Sequence, residues 1–118
     1  MIKVRATTLD SLLAEETVRV DDLGLVWMDT QGHEPYILRG AQSLLASSIP
    51  VLIEYWPYGL DRVDGRGLLE SIIREHYTHF VDMGEAEDNV SLRSTAEISG
   101  LSNTYTGTSY TDLLLLKQ

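Results

Sequence analysis

Two groups of polar and aromatic side chains stand out because each directly follows a short apolar run. They are Asp29, His33 and Glu34 after the first run, and Glu54, Tyr55 and Trp56 at the end of the second. Carboxylates and an imidazole can accept a proton or hold a cofactor, and aromatic rings can form the wall of a substrate pocket. Ligands of parallel α/β sheets bind beyond the carboxyl ends of the strands. If the two runs are neighbouring parallel strands, these side chains meet at one such edge.

The two runs and the segment between them have the pattern of a strand, a helix and a second strand. Leu25 to Met28 is apolar throughout, which predicts a strand buried on both faces. Gly32 permits a sharp turn, and Pro35 suits the first turn of a helix. One apolar helix face is formed by Ile37, Leu38, Ala41, Leu44 and Leu45, and the helix is ended by Ser47, Ser48 and Pro50. Val51 to Glu54 predicts a second buried strand, which completes a right-handed βαβ unit.

The N-terminal segment predicts a strand followed by a short helix. Ile2 to Thr7 alternates apolar and polar residues, as in a half-exposed strand. Thr8 can cap a helix over Leu9 to Glu15, with Asp10 favourably placed in its first turn.

The segment after the second apolar run predicts a loop, a helix and two further strands. Residues 57–67 (PYGLDRVDGRG) are rich in glycine, proline and charge, and predict an ordinary loop over the proposed edge rather than a phosphate-binding loop. The next helix has an apolar face of Leu68, Leu69, Ile72, Ile73 and Tyr77. His79 to Met83 and Thr111 to Lys117 predict strands. Between them, Glu85 to Ser109 predicts a lid or mobile excursion with a short helical stretch at Thr95 to Leu101.

Composition limits the classes of protein to which the chain can belong. The 118 residues have room for one domain and one modest core. A net charge of −9 argues against binding nucleic acid or an anionic membrane through a basic surface. The chain has no cysteine, so it forms no disulfide and no Cys-based metal site. It has neither a run long enough to span a membrane nor a signal-peptide core, which predicts a cytoplasmic protein.

Three stretches of the sequence resemble the FkbM-type methyltransferase family, which uses S-adenosylmethionine. The run MDTQGHEPYILRGAQSLL (residues 28–45) and the run PVLIEYWP (residues 50–57) resemble the family's Asp-x-Glu/Gln-Gly-x-Glu, Leu-x-Gly-Ala and Pro-x-x-x-x-Glu pattern. TTLDSLL (residues 7–13) resembles the segment that precedes this pattern. The resemblance extends from about Val4 to Trp56, with its motifs in the family's order.

The resemblance implies an α/β fold that is part of a Rossmann-like methyltransferase sheet. We expect a mostly parallel sheet with an antiparallel terminal strand and helices on its faces. HFVDM (residues 79–83) and TDLLLLK (residues 111–117) would form the closing hairpin. The glycine-rich turn and the acidic ribose-binding residue of such folds are not found in the sequence. Residues 1–118 therefore resemble the C-terminal portion of the domain.

The candidate site residues follow from their positions and from the resemblance. The predicted catalytic residues are Asp29, His33 and Glu34. The residues predicted to bind the cofactor S-adenosylmethionine are Asp29, Gln31 and Gly32. The residues predicted to bind the methyl acceptor are Glu54, Tyr55, Trp56 and Tyr58. Gln31 stands where many members have Glu, so the resemblance supplies no general base there. The alternative role of Glu34 is to complement the dipole of the helix that it opens, and the alternative for His33 is an exposed turn residue without a catalytic role. The acidic residues and His33 match no metal-binding spacing, so no metal site is predicted.

The predicted function is methyl transfer from S-adenosylmethionine to a hydroxyl oxygen of a small molecule or sugar. The alternative is a non-catalytic remnant that binds a partner or forms a homodimer through an exposed sheet edge. A small hydrolase that uses Asp29 and Glu54 is a third, weaker hypothesis. The expected partner is a small-molecule acceptor, without nucleic acid or membrane.

Overall fold

A computed structural model describes residues 1–118. The helices are α1 (Leu9–Glu15), α2 (Glu34–Arg39), α3 (Gln42–Ala46), α4 (Pro57–Arg62), α5 (Arg66–His76) and α6 (Leu101–Thr104). The strands are β1 (Val26–Met28), β2 (Val51–Tyr55), β3 (His79–Asp82), β4 (Leu92–Ser94) and β5 (Thr111–Leu116). Short 3₁₀ helices span Val20–Asp22, Glu87–Asn89 and Thr95–Gly100. No helix has the length and apolar character needed to cross a bilayer.

The five strands form one mixed sheet in the order β1-β2-β5-β3-β4. β1 and β2 are parallel, which confirms the strand–helix–strand prediction. β5 lies between β2 and β3 and is antiparallel to both, so the predicted pairing of the last two apolar runs is confirmed. The prediction of a mostly parallel sheet is wrong, because β5 creates two antiparallel pairs and β4 adds a third.

The two faces of the sheet differ in burial. On one face, here called the core face, Met28, Ile53, Tyr55, Leu113 and Phe80 are buried. They form one core cluster with apolar residues of the helices, namely Leu38, Leu44, Leu45, Leu60, Leu69, Ile72, Ile73, Ile98 and Leu101. The prediction of helices on the faces of the sheet therefore holds for the core face.

The other face, here called the open face, lacks such cover. Trp27, Leu52 and Leu114 are cross-strand neighbours on it, and Trp27 is 70% exposed. The prediction that the first strand is buried on both faces is therefore wrong. An apolar run gives no sign of which face a helix will cover, because the cover comes from elsewhere in the chain.

The N-terminal segment does not form the predicted strand. Ile2 is 90% exposed and Val4 is 83% exposed, and residues 1–8 belong to no helix or strand. A strand needs a neighbour to complete its hydrogen bonds, and these residues do not join the sheet. The predicted helix after them is confirmed: Thr8 caps α1 by accepting a hydrogen bond from the Ser11 N–H at 3.1 Å.

The single helix predicted between β1 and β2 is two helices, because α1 packs against it at Gly40. The Gly40 carbonyl accepts from the Asp10 N–H at 3.0 Å. The Asp10 carboxylate then caps α3, accepting from the N–H groups of Gln42 at 2.7 Å and Ser43 at 3.0 Å. A β-carbon on Gly40 would lie 3.0 Å from the Thr8 side chain. The close approach of α1 thus supplies the cap at which a new helix begins.

Two later segments also differ from prediction. Residues 57–62, predicted as part of a loop, form α4, with Pro57 in its first turn and Leu60 fully buried. Gly65 then precedes α5, which has the predicted apolar face. Within Glu85 to Ser109, the helical stretch at Thr95 is confirmed as a 3₁₀ helix, whereas β4 was not predicted. The suggested lid movement stays a prediction.

Candidate functional site

A tight turn at the carboxyl end of β1 forms the floor of the candidate site. Gln31 has φ 58° and Gly32 has φ 104°, so two successive residues adopt positive φ. Glu34, 1% exposed, holds this turn: one carboxylate oxygen accepts from the Thr30 N–H at 2.8 Å and the other from the Gly32 N–H at 3.0 Å. The predicted catalytic Glu34 therefore lies at the site, where it organises the turn.

Gly32 is required by a close approach of two backbone segments. A β-carbon at this position would lie 2.7 Å from the Gly59 carbonyl oxygen of α4. Gly59 in turn leaves room for the Trp56 ring, which would be 2.1 Å from a β-carbon there. The predicted cofactor-binding Gly32 is buried in this contact, and its N–H is already bound to Glu34.

Three carboxylates converge beside this turn, and we call them the carboxylate cluster: Asp29, Glu34 and Glu54. One oxygen from each lies within 4.8 Å of the others. The Gln31 side-chain amide joins two of them, donating to Asp29 at 2.9 Å and to Glu54 at 3.3 Å. Asp29 is exposed, whereas Glu54 is only 6% exposed. The structure thus brings together residues predicted separately for catalysis, cofactor and acceptor.

Glu54 has the most perturbed environment in the cluster. Burial raises the pKa of its carboxyl to about 7, and the negative charges of Asp29, Glu34 and Asp112 act in the same direction. One of its oxygens is buried and has no hydrogen-bond partner. Asp112 faces Glu54 across the β2–β5 pair, and its pKa is also raised by burial and by Asp29. A carboxyl with these properties can gain or lose a proton near neutral pH.

The predicted aromatic wall is only partly assembled. Tyr55 points to the core face, is fully buried, and donates its hydroxyl to Glu70 at 2.9 Å, so it lies apart from Glu54. Trp56 is half-buried, and its ring N–H donates to the Thr108 carbonyl at 3.1 Å. Tyr58 is 46% exposed, with its ring centre 5.5 Å from that of Trp56. Because successive side chains along β2 point to opposite faces of the sheet, Tyr55 points away from the face on which Glu54 lies.

A cavity of about 260 Å³ lies next to the carboxylate cluster. Its lining residues are Gln31, His33, Trp56, Gly59, Arg62 and Val63. Gln31 both lines this cavity and binds Asp29 and Glu54, so the cluster and the cavity share a wall. The exposed His33 also lines a second cavity, of about 300 Å³, between the start of α1 and α2.

Sequence reasoning missed four residues of this site, namely Gly59, Arg62, Val63 and Asp112. Arg62 and Gly59 lie in the segment predicted as a loop, and only its helical form brings them to the cavity. Asp112 could have been predicted from the sequence, because a last strand that is antiparallel to β2 has its first residues next to Glu54.

The family model described as methyltransferase FkbM domain matches residues 1–96. Comparison with curated proteins and with solved structures gave no match. The matched range includes the turn after β1, the whole carboxylate cluster and α4. The chain therefore belongs to the FkbM methyltransferase family.

Proposed function

We propose that the carboxyl edge of β1 and β2 is part of a site that transfers a methyl group from S-adenosylmethionine to a hydroxyl oxygen of a small molecule or sugar. The observation that carries this proposal is the cavity that shares Gln31 with the carboxylate cluster. It combines a concave surface with convergent polar groups and a carboxyl of raised pKa, which is the usual constitution of a small-molecule site.

The cavity suits a polar, ring-shaped acceptor. Trp56 offers an aromatic surface against which a sugar ring can pack, and Arg62 offers donors for an anionic or hydroxyl group. Glu54, with a pKa of about 7, is joined to the cavity wall through Gln31 but does not line the cavity, so the proton that the acceptor hydroxyl loses would reach it through solvent. Methyl transfer depends above all on alignment of the two reactants, so the main task of these residues is to hold the acceptor.

The residues present fit part of the proposed cofactor. S-adenosylmethionine carries positive charge on its sulfonium and amino groups and supplies an electrophilic methyl group when bound. An acid-rich edge with the exposed Asp29 suits these charges. Asp29 and Gln31 are the residues that would hold this end. Gly32 offers no open backbone surface, since Gly59 covers it.

Calorimetric titration of S-adenosylmethionine into chelator-treated protein tests the proposal. We expect saturable binding, weakened roughly tenfold by Asp29→Asn, because a paired charge is lost. Asp22→Asn removes an exposed acid remote from the site and should leave affinity unchanged. Folded protein that binds no cofactor, and that transfers no labelled methyl group to a panel of hydroxyl acceptors, would contradict the proposal.

A second candidate function is partner binding or homodimerisation through β1. β1 is at the end of the sheet, and its Trp27 is 70% exposed on the open face. Unpaired strand edges and large exposed aromatic residues are both typical of association surfaces. Molar mass from light scattering would be that of a dimer under this hypothesis, and a monomeric mass at high concentration would count against self-association.

A further inference from the structure

The carboxylate cluster concentrates negative charge without a basic partner. None of its three members takes part in a salt bridge. The only groups that donate to them are two backbone N–H groups, of Thr30 and Gly32, and the Gln31 amide. Buried charges in folded proteins are normally paired or bound to a metal. Its two buried members, Glu34 and Glu54, therefore lie without the basic partner that buried carboxylates usually have.

A second observation concerns Glu54 of the same cluster. Glu54 is only 6% exposed, and one of its carboxylate oxygens accepts no hydrogen bond. This oxygen belongs to the same carboxylate that approaches Asp29 and Glu34. A buried acceptor without a donor marks a position where a ligand group completes the bonding.

Each carboxylate of the cluster has lone pairs that are free to bind a ligand. A carboxylate has about four lone-pair sites. Glu34 uses one on each oxygen for backbone N–H groups, whereas Asp29 accepts a single bond from Gln31. Rotation of the Gln31 amide would replace its donor nitrogen by its oxygen, which adds a fourth oxygen ligand. All these groups are hard oxygen donors, and the exposed Asp29 leaves a route to solvent.

The spacing of the oxygens fits one ion. Two ligands on opposite sides of Ca²⁺ lie about 4.6–5.2 Å apart, and on opposite sides of Mg²⁺ about 4.0–4.2 Å. The cluster's ligand atoms lie within 4.8 Å of one another. This upper limit is compatible with one Ca²⁺ between the three carboxylates, and a smaller ion needs their oxygens closer together, which movement of the exposed Asp29 can supply.

We propose that Asp29, Glu34 and Glu54 form a binding site for a hard divalent cation of the Ca²⁺, Mn²⁺ or Mg²⁺ class. The sequence predicted no metal site, because the ligands come from a strand end, a helix start and a second strand and so form no linear motif. The ion site shares Asp29 and Glu54 with the methyl-transfer proposal, but its test needs no cofactor, since we expect the ion to bind to the protein alone.

Titration of chelator-treated protein with Mn²⁺, followed by the loss of the free-ion paramagnetic resonance signal, tests the site. We expect one ion per chain, displaced by Ca²⁺ or Mg²⁺. Manganese should broaden amide signals of residues 29–34 and 54 before others. Glu54→Gln should weaken binding roughly tenfold or more, and Asp29→Asn, an exposed substitution that preserves folding, should do the same. Asp22→Asn changes net charge equally and should retain wild-type affinity.

Two results would overturn the proposal. One is folded wild-type protein that shows no saturable binding of any of the three ions at millimolar concentration. The other is equal affinity in Asp29→Asn and Asp22→Asn. Because these titrations contain no S-adenosylmethionine, and the cofactor titrations contain chelator, failure of the ion site and failure of the methyl-transfer site give different results.

Discussion

Two buried carboxylates at the same end of the sheet, Asp82 and Glu54, have opposite surroundings. Asp82 ends β3 on the core face and is 1% exposed. Its oxygens accept from the Tyr105 hydroxyl at 2.6 Å, the Thr111 hydroxyl at 2.5 Å and the Gly84 N–H at 3.0 Å. Glu54, near the end of β2 on the open face, has one long bond from an amide and a free oxygen.

The difference separates a carboxylate that stabilises the fold from one that is available for a ligand. Around Asp82, every donor serves to join β3, β5 and the segment before β5. Around Glu54, other acids crowd the site and raise its pKa. Proteins depart from full hydrogen bonding mainly at functional sites. Asp82 thus serves the stability of the fold, whereas the surroundings of Glu54 agree with the ligand-binding role proposed for it.

The largest effect is expected at Asp82. Asp82→Ala removes the acceptor of the Tyr105 and Thr111 hydroxyls and one of the two acceptors of the Gly84 N–H, so we expect a loss of about 3 kcal/mol in the free energy of unfolding. Urea denaturation followed by circular dichroism measures it. Asp88→Ala, at an exposed acid, should change stability by less than about 0.5 kcal/mol. A loss at Asp82 as small as that of the control would remove the distinction between the two carboxylates.

In contrast to Asp82→Ala, Glu54→Gln should raise the free energy of unfolding of chelator-treated protein. The folded-state pKa of Glu54 is raised from 4.5 to about 7, so its protonated form favours folding below pH 4.5, and this contribution is lost as pH rises through 7. Glutamine has no proton to lose. The variant should therefore gain stability relative to wild type as pH rises, reaching roughly 1–2 kcal/mol by about pH 8. Unfolding curves of both proteins across this range measure the gain, and parallel pH profiles would contradict it.

Asp10 offers a third carboxylate, near the surface but fully engaged. The hydrogen bond from the Ser43 hydroxyl, followed by those from the N–H groups of Ser43 and Gln42, lowers the pKa of Asp10. Asp10→Asn should cost about 1 kcal/mol, because it replaces one of the two accepting carboxylate oxygens by an amide that cannot accept a hydrogen bond. Because the pKa is lowered, the difference should be present above pH 3.8 and vanish as pH falls below it. Thermal melts at several pH values test this, and a constant difference would argue against capping.

The smallest effect on stability is expected at Trp27. Trp27→Thr on the open face should change the free energy of unfolding by no more than about 0.5 kcal/mol, because the side chain is 70% exposed. If β1 mediates self-association, the same variant should lower the molar mass measured by light scattering. Tyr110→Thr, at another exposed aromatic, should leave the mass unchanged. A large loss of stability in a monomeric protein would show that the open face belongs to the core.

Local sequence patterns correctly predicted the turns and helix starts, which depend on neighbouring residues. Glycine and proline marked the turn after β1 and the start of α2, and Thr8 marked the start of α1. The break at Gly40 depends on Asp10, some thirty residues earlier in the sequence, so helical periodicity did not reveal it. The exposure of Trp27 depends likewise on which face the helices cover.

The same limit applies to the site. The resemblance identified Asp29, Gln31 and Glu54, which the structure places in contact. It did not reveal that Tyr55 turns to the core face, although strand alternation implies that Tyr55 and Glu54 point in opposite directions. Arg62 required the helix that the glycine- and proline-rich composition of residues 57–67 concealed.

The contact between Gly32 and Gly59 has a consequence for engineering this protein. The turn that carries the acids and the helix that carries Arg62 meet through backbone alone, with no side chain between them. The spacing of the two walls is therefore set by this backbone contact. Under the proposed function, Arg62 and Val63 are therefore the positions to exchange for a different acceptor, whereas Trp56 packs directly on Gly59 and its exchange would also alter this contact.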